Sequence, residues 1–219
     1  EILKRMKENG KKVLLSIDEV SNSEYMRVFA GAFQLFIRKD LPVFLIMTGL
    51  YENVESLQNE KNLTFLYRAP KITVEPLSIR AIANKYAGIF SIDDEKAKSM
   101  ASLTMGYAFA FQVLGFLTWK QGGDYESVIN EYKYYLEEYV YDKIWSELSN
   151  KDRFVLNGIC NAKSCATKDI IAELNMKNNE INPYRKRLIK KGILNGKEWG
   201  RLSFQLPFFK EYVEENYIG

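Results

Sequence analysis

The sequence predicts an α/β segment with parallel strands at its start, an all-helical middle, and a C-terminal group of three helices closed by a β-hairpin. Three observations predict that order. Two apolar runs, Val13-Leu14-Leu15-Ser16-Ile17 and Val43-Phe44-Leu45-Ile46-Met47, each lead into polar residues and are separated by a stretch of helical periodicity. From 77 to 148 the apolar residues recur at helical spacing. From Lys151 onward 13 Lys/Arg stand against 8 Asp/Glu, and the turn Asn195-Gly196-Lys197-Glu198 divides two short runs of strand character.

Composition narrows the class. The 219 residues suffice for one large domain or two to three small ones, and 47% apolar with 27% charged residues describes a soluble globular chain. No run of eighteen apolar residues occurs, so no transmembrane helix is expected and the expected location is cytoplasmic. The chain contains no His, which excludes a His-containing zinc site and any Ser-His or Cys-His nucleophile. Cys160 and Cys165 are too few for a tetrathiolate site and read as reduced thiols. The net charge of +3 divides into +5 from Lys151 onward and −2 before it, so a nucleic-acid footprint is sought in the C-terminal third.

In order along the chain, residues 2–9 read as the end of a helix capped by Gly10. The unbroken run from Val13 predicts a strand buried on both faces, as in a parallel sheet covered by helices. Ligands of such sheets bind at the carboxyl ends of the strands, where Asp18 and Glu19 emerge. An Asp there can hold Mg²⁺ against a nucleotide phosphate, and a neighbouring Glu can orient or deprotonate a water. The same pair also reads as a solvated acidic turn. A helix over 22–39 places Tyr25, Phe29, Phe33 and Phe36 on one face. With the second strand, which ends in Thr48-Gly49, it makes a right-handed βαβ unit. Residues 51–67 read as helix and loop. Lys71-Ile72-Thr73-Val74-Glu75, closed by Pro76, reads as a further strand of the same sheet.

Pro76-Leu77-Ser78 marks a domain boundary, with Ser78 as an N-cap. Asp93 or Asp94 caps a helix to Leu103, and Thr104-Met105-Gly106-Tyr107 breaks the chain. The next helix runs over 108–121 with Phe109, Val113, Phe116 and Leu117 aligned, ended by Gly122-Gly123. A long helix over 125–148 carries Tyr132, Tyr135, Tyr139 and Trp145 as a core stripe, with a stacking surface for bases as the alternative. The last third gives helices over 151–161 and 168–174, the latter capped by Thr167. A third helix starts near Asn178 or Asn179 with Pro183 in its first turn, and the hairpin follows. Leu188 and Ile189 point inward on that third helix. Among its cations Lys186 aligns with Lys190 and Arg187 with Lys191, while Arg185 falls away from both rows. With Lys197 and Arg201 in the hairpin these rows could straddle a DNA groove, or they form a solvated face.

Asp18-Glu19 and Thr48 at neighbouring strand tips resemble the Walker B pair and the sensor-1 residue of P-loop ATPases of the AAA+ class. Three helices and a hairpin, with Tyr184-Arg185-Lys186-Arg187-Leu188-Ile189-Lys190-Lys191-Gly192 resembling a recognition helix, resemble a winged helix. The implied fold is an α/β partial P-loop (AAA+) core over 1–76, an all-α lid over 77–148 and a winged helix-turn-helix domain over 149–219. The resemblance implies ATP and Mg²⁺ as cofactors of the parent protein, Asp18 at the metal, and catalytic roles for Asp18, Glu19 and Thr48. It implies an arginine finger at Arg68, reaching across a self-associated subunit boundary; a loop Arg paired with a surface carboxylate is the alternative. Gly106-Tyr107-Ala108 falls where relatives carry a Gly-x-Pro turn near the adenine, with Ala108 in place of Pro, and no arginine sensor 2 lies between Ile89 and Trp119. Arg185, Lys186, Arg187, Lys190, Lys191, Lys197 and Arg201 would contact duplex DNA.

Nothing fits G-x-x-x-x-G-K-[ST], and Val13 lies near the start of a sequence that opens on Glu1 rather than Met. The expectation is a C-terminal fragment of a longer ATPase, itself binding neither ATP nor Mg²⁺ and hydrolysing nothing. Intact Asp18, Glu19 and Thr48 favour that reading over a non-catalytic regulatory module whose winged helix binds a protein partner.

Overall fold

A computed structural model describes residues 1–218, with the side chains of all of these but Tyr51 and Glu52. The chain forms two compact units, Glu1–Thr73 and Val74–Gly219.

The first unit runs α1 (Ile2–Glu8), β1 (Val13–Ile17), α2 (Glu24–Arg38), β2 (Val43–Met47), α3 (Tyr51–Gln58) and a 3-10 turn, Thr64–Arg68. The expected βαβ unit is present: β1 and β2 pair in parallel, from Val13 opposite Val43 to Ile17 opposite Met47. The Ser23 hydroxyl caps α2 by accepting from the Met26 N–H, which satisfies one of the unpaired donors of the first turn. Ala30, Leu57, Leu63 and Leu66 form the core, flanked by Met26, Met47 and Phe65.

Three sequence expectations change here. Tyr25 lies about 80° around the helix from Phe33 at α-helical pitch, so Phe33 is buried while Tyr25 is 89% exposed. The sheet is covered on one face only, because Leu14, Phe44 and Ile46 share a face and each is more than half exposed. Residues 71–75 form no strand, and Ile72 and Val74 are each 91% exposed. β-propensity expresses how a side chain packs on a half-buried pleated surface. This segment has no such surface, and the prolines on either side remove backbone donors that a ladder would need.

The second unit contains α4 (Ile79–Phe90), α5 (Asp94–Ser102), α6 (Ala108–Lys120), a 3-10 turn at Glu126–Val128, α7 (Ile129–Leu136), a π turn at Glu137–Tyr141 and α8 (Asp142–Glu147). Then follow α9 (Asn150–Asn161), α10 (Thr167–Leu174), α11 (Asn178–Lys190), β3 (Leu194–Asn195), β4 (Ser203–Phe204) and α12 (Phe209–Asn216). Ser78 and Asp93 cap α4 and α5 as their side chains predict. In α6 the buried residues are Ala110, Val113, Leu114, Leu117 and Thr118; Phe116, expected on that stripe, is 53% exposed.

The expected long third helix is divided by the π turn. Tyr132, Leu136, Tyr141 and Leu148 are buried, and the five-residue step from Leu136 to Tyr141 absorbs the extra residue of that turn. Tyr139, expected in the core stripe, is therefore thrown outward and is 60% exposed. The buried phenols find acceptors: Tyr132 donates to the Leu103 carbonyl at 3.0 Å and Tyr141 to the Pro207 carbonyl. Burial raises both pKa values.

Ahead of α10, residues 165–167 pair with 200–202 instead of capping the helix. Leu202 N–H donates to Cys165 O and Thr167 N–H to Gly200 O, both at 2.8 Å, around the bridge of Ala166 with Arg201. The N-cap is consequently Ala166, not Thr167, whose buried hydroxyl finds no partner among the described residues. β3 and β4 pair antiparallel as the hairpin predicts, and α12 returns over α9. Residues 77–148 and 149–219, distinct in sequence character, share one buried cluster from Ile82 to Val213.

Candidate functional site

At the carboxyl end of β1 the chain turns through Asp18 and Glu19, and Glu19 adopts a left-handed backbone with φ 53. That conformation is costly for a non-glycine residue and persists only where its surroundings enforce it. Here the enforcement is visible in the backbone: Thr48 N–H donates to Ile17 O and Val20 N–H to Thr48 O, each at 2.9 Å. The tips of β1 and β2 are thereby clamped together. Asp18 Oδ1 accepts from the Glu19 N–H at 3.0 Å and from the Thr48 hydroxyl. One carboxylate oxygen is thus fixed by two donors, which orients the other outward. Asp18, Glu19 and Thr48 are all exposed.

Among the described residues no three acidic or cysteine side chains gather as a metal cage. Asp18 can offer a single outward oxygen. Mg²⁺ commonly binds through one or two carboxylates, with water and substrate phosphates completing an octahedron; to such a set Asp18 would add one oxygen. Arg68 ends its 3-10 turn and is exposed, and among the described residues no hydrogen bond or ion pair joins it to Asp18, Glu19 or Thr48. The structure brings three of the four expected catalytic residues together.

A polar cleft in the same unit is lined by Asn22, Glu55, Ser56 and Glu60. Its groups satisfy one another: Asn22 Nδ2 donates to Ser56 Oγ at 2.9 Å and Glu60 Oε1 at 2.8 Å, while Arg27 donates to Asn22 Oδ1 at 3.0 Å.

Gly106 has a packing role in the second unit. Its φ is 78, and an added Cβ would lie 2.5 Å from the Leu77 carbonyl oxygen. Its own carbonyl accepts from Leu77 N–H at 2.8 Å. Only glycine permits both the left-handed turn and the close approach. Tyr107 then serves as the N-cap residue of α6, and burial raises the pKa of its phenol.

The basic helix α11 is less uniform than its composition. Ile181 and Leu188 are buried, and Ile189 is half-buried. Lys186 and Lys190 face solvent, while Arg185, Arg187 and Lys191 are half-buried. Arg187 donates through Nε at 3.1 Å and Nη2 at 2.6 Å to Oδ1 of Asp152, itself only 3% exposed. Asp152 also accepts from the Ser149 N–H and hydroxyl, in a capping box that starts α9. Arg187 therefore ties α11 to α9, away from the solvent-facing row. In the hairpin, Lys197 pairs with Glu75 at 2.6 Å and Arg201 with Glu198 at 3.4 Å.

Sequence reasoning missed two residues. Asp152 could have been found from Ser149-x-x-Asp152, an N-cap signature that places its carboxylate at the helix start. Trp199 stands 97% exposed in the hairpin loop, between Lys197 and Arg201. The turn Asn195-Gly196-Lys197-Glu198 that precedes it signalled a loop but not an indole held in solvent.

A protein-family profile described as "Domain of unknown function (DUF8462)" matches residues 138–213. No curated protein matches the chain. Among solved structures it is similar to a RuvB variant of Thermotoga maritima, at 15% identity and a TM-score of 0.40, over 99% of this chain and 75% of that one. It is also similar to Cdc6p from Pyrobaculum aerophilum, at 11% identity and a TM-score of 0.43, over 98% of this chain and 68% of that one.

Proposed function

We propose that the first unit is the Walker B and sensor-1 portion of an AAA+-type ATPase, and that the end of the second unit is a winged helix that contacts DNA. The observation that carries the nucleotide reading is the sharing of Asp18 Oδ1 by the Thr48 hydroxyl and the Glu19 N–H at the tips of two parallel strands. In that role Asp18 would hold Mg²⁺, directly or through water, while Thr48 fixes the carboxylate and would sense the phosphate. Glu19, held left-handed and solvent-facing, takes a proton from the attacking water. Mg²⁺, when bound with nucleotide, supplies neutralisation of phosphate charge. The phosphate-cradling loop must come from sequence beyond these 219 residues, since G-x-x-x-x-G-K-[ST] does not occur in them. Arg68 enters as the exposed cation for a neighbouring subunit's phosphate, and Gly106 and Tyr107 as the residues that set the turn before α6.

The test uses a polypeptide that carries both the phosphate loop and this chain. Asp18→Ala should weaken Mg²⁺-nucleotide binding. Glu19→Gln should keep nucleotide binding and slow steady-state hydrolysis by a factor of ~10²–10⁴, the usual worth of a positioned general base. Hydrolysis at the parental rate would make Glu19 a surface carboxylate. The 219-residue chain alone should show no turnover. For DNA, neutralising Lys186, Lys190 and Lys197 together should flatten the log–log salt dependence of duplex binding by about 0.9 for each phosphate that the variant no longer neutralises.

A second reading has its own observation. Arg187, Lys197 and Arg201 are each paired with a carboxylate of the same unit. Such pairing suits a winged helix that binds a protein, within a regulatory module.

A further inference from the structure

The hairpin loop ends in an indole with almost no protein around it. Trp199 is 97% exposed in a chain that buries Tyr86, Tyr132 and Tyr141 almost completely. An isolated surface apolar residue is ordinary, but a wholly exposed Trp forgoes one of the largest burial gains available to a side chain. The backbone that presents it is fixed on both sides. Toward α10, Thr167 N–H bonds to Gly200 O, so the exposed Lys168 follows Thr167 at the end of the pairing where Trp199 precedes Gly200. Toward α11, Gly196 is pressed against Ile189, where any Cβ would overlap the Ile189 Cδ1 methyl. The loop base therefore sits beside the residue that precedes Lys190. Lys197 and Arg201 flank the indole in sequence, each already paired with a carboxylate.

We propose that Trp199 is a stacking platform for unpaired nucleobases, and that this end of the chain prefers DNA with frayed or single-stranded segments over continuous duplex. The proposal rests on the DNA reading above and deepens it. Lys197 and Arg201 stand two positions either side of Trp199, and Lys168 follows the residue whose N–H bonds to Gly200 O; cations so placed suit a polyanion that also carries flat aromatic rings. Within intact duplex the bases are stacked on one another, so both grooves present base edges and neither offers an indole a base face. An unpaired base has a free face, and base–aromatic stacking is insensitive to sequence. The carboxylates of Glu75 and Glu198 hold the flanking cations in place until phosphates replace them.

The experiment titrates the full 219-residue chain, and its Trp199→Ala and Trp199→Phe variants, with three fluorescein-labelled DNAs of one sequence at low salt. These are a single strand, a forked duplex and a blunt duplex. Intrinsic tryptophan emission is read in parallel on unlabelled DNA. Both variants should melt as the parent does, because residue 199 supports no packing. The parent should bind the single strand and the fork more tightly than the blunt duplex. Trp199→Ala should lose about tenfold or more on those two and little on the duplex; Trp199→Phe should lose less on each but abolish most of the tryptophan quench. Equal affinity of parent and Trp199→Ala on every probe, or an equal loss on all three, would overturn the stacking role and leave DNA binding standing. Absence of binding to all three by the parent would overturn both the stacking role and the DNA reading.

Discussion

Arg187 and Asp152 set what substitution on the basic helix would do. Asp152 is nearly buried and draws two hydrogen bonds from the Arg187 guanidinium in addition to those from Ser149. Removing the guanidinium leaves a buried carboxylate short of donors, a situation that destabilises by several kcal/mol when no compensation exists. The Ser149 donors compensate in part, so Arg187→Leu should cost about 2–3 kcal/mol, read as a lower urea midpoint at unchanged slope. Lys186→Gln, on the solvent-facing row, should leave the midpoint within about 0.5 kcal/mol. Equal midpoints for the two variants would mean that the ion pair does not hold α11 to α9. The cysteines separate in the same way. Burial pushes the Cys160 thiol up to about 12, with Glu214 nearby adding to the effect, whereas Cys165 is exposed. A thiol whose folded pKa is raised contributes stability in full below its unfolded value, and that contribution fades as pH climbs toward the folded one. At pH 8 the native chain should therefore consume one equivalent of a thiol-specific disulfide reagent, and two in denaturant; two in the native state would place Cys160 at the surface. Spacing along α11 revealed which residues carry charge. It could not reveal that Asp152, 35 residues earlier, claims one of them.

The elements that were legible in sequence are those whose signal is local. Ser78, Asp93 and the helices they cap, the two parallel strands, and the β3–β4 hairpin follow from caps, apolar runs and turn residues a few positions apart. The strand expected over 71–75 failed because pairing needs a neighbour that no local pattern supplies. The long helix before α9 failed in register, not in existence, since an α-helical period cannot anticipate a π turn. That turn makes a prediction of its own. Deleting Tyr139, exposed within the turn, restores a four-residue step between Leu136 and Tyr141. The buried phenol keeps its place, so the melting free energy should fall by less than about 1 kcal/mol. A cooperative melt lost altogether in that variant would show that the π turn is itself required to hold Tyr141 against Pro207. At the acidic site, the run ending in Asp18-Glu19 and the run ending in Thr48 were both readable. Their meeting was readable only through the parallel pairing. Glu19's left-handed backbone left no trace in composition.

At the scale of the whole molecule the two units differ in how completely they are built. The first holds two parallel strands with one apolar face in solvent, an arrangement of marginal independent stability. The second has a continuous core reaching from α4 to α12. Between the 3-10 turn and α4 the chain forms neither helix nor strand and is exposed; Arg68 closes the turn just before this stretch and Lys71 lies within it. Brief trypsin treatment should therefore cut first after one of those residues and leave a fragment containing Val74–Gly219 that melts cooperatively; mass spectrometry of the earliest products identifies the bond. First cuts inside α6 or α9 would contradict the division. Amide exchange should likewise be faster in β1 and β2 than in α9 and α12. The shared core of the second unit also has a mechanical consequence. Close-packed interiors are nearly incompressible and pass strain along instead of absorbing it. Leu77 is locked to Gly106 at one place in that body, and the hairpin that carries Trp199 leaves it at another. A turn applied where Leu77 meets Gly106 is therefore handed through packed side chains toward the hairpin, as a spindle drives the hand of a clock.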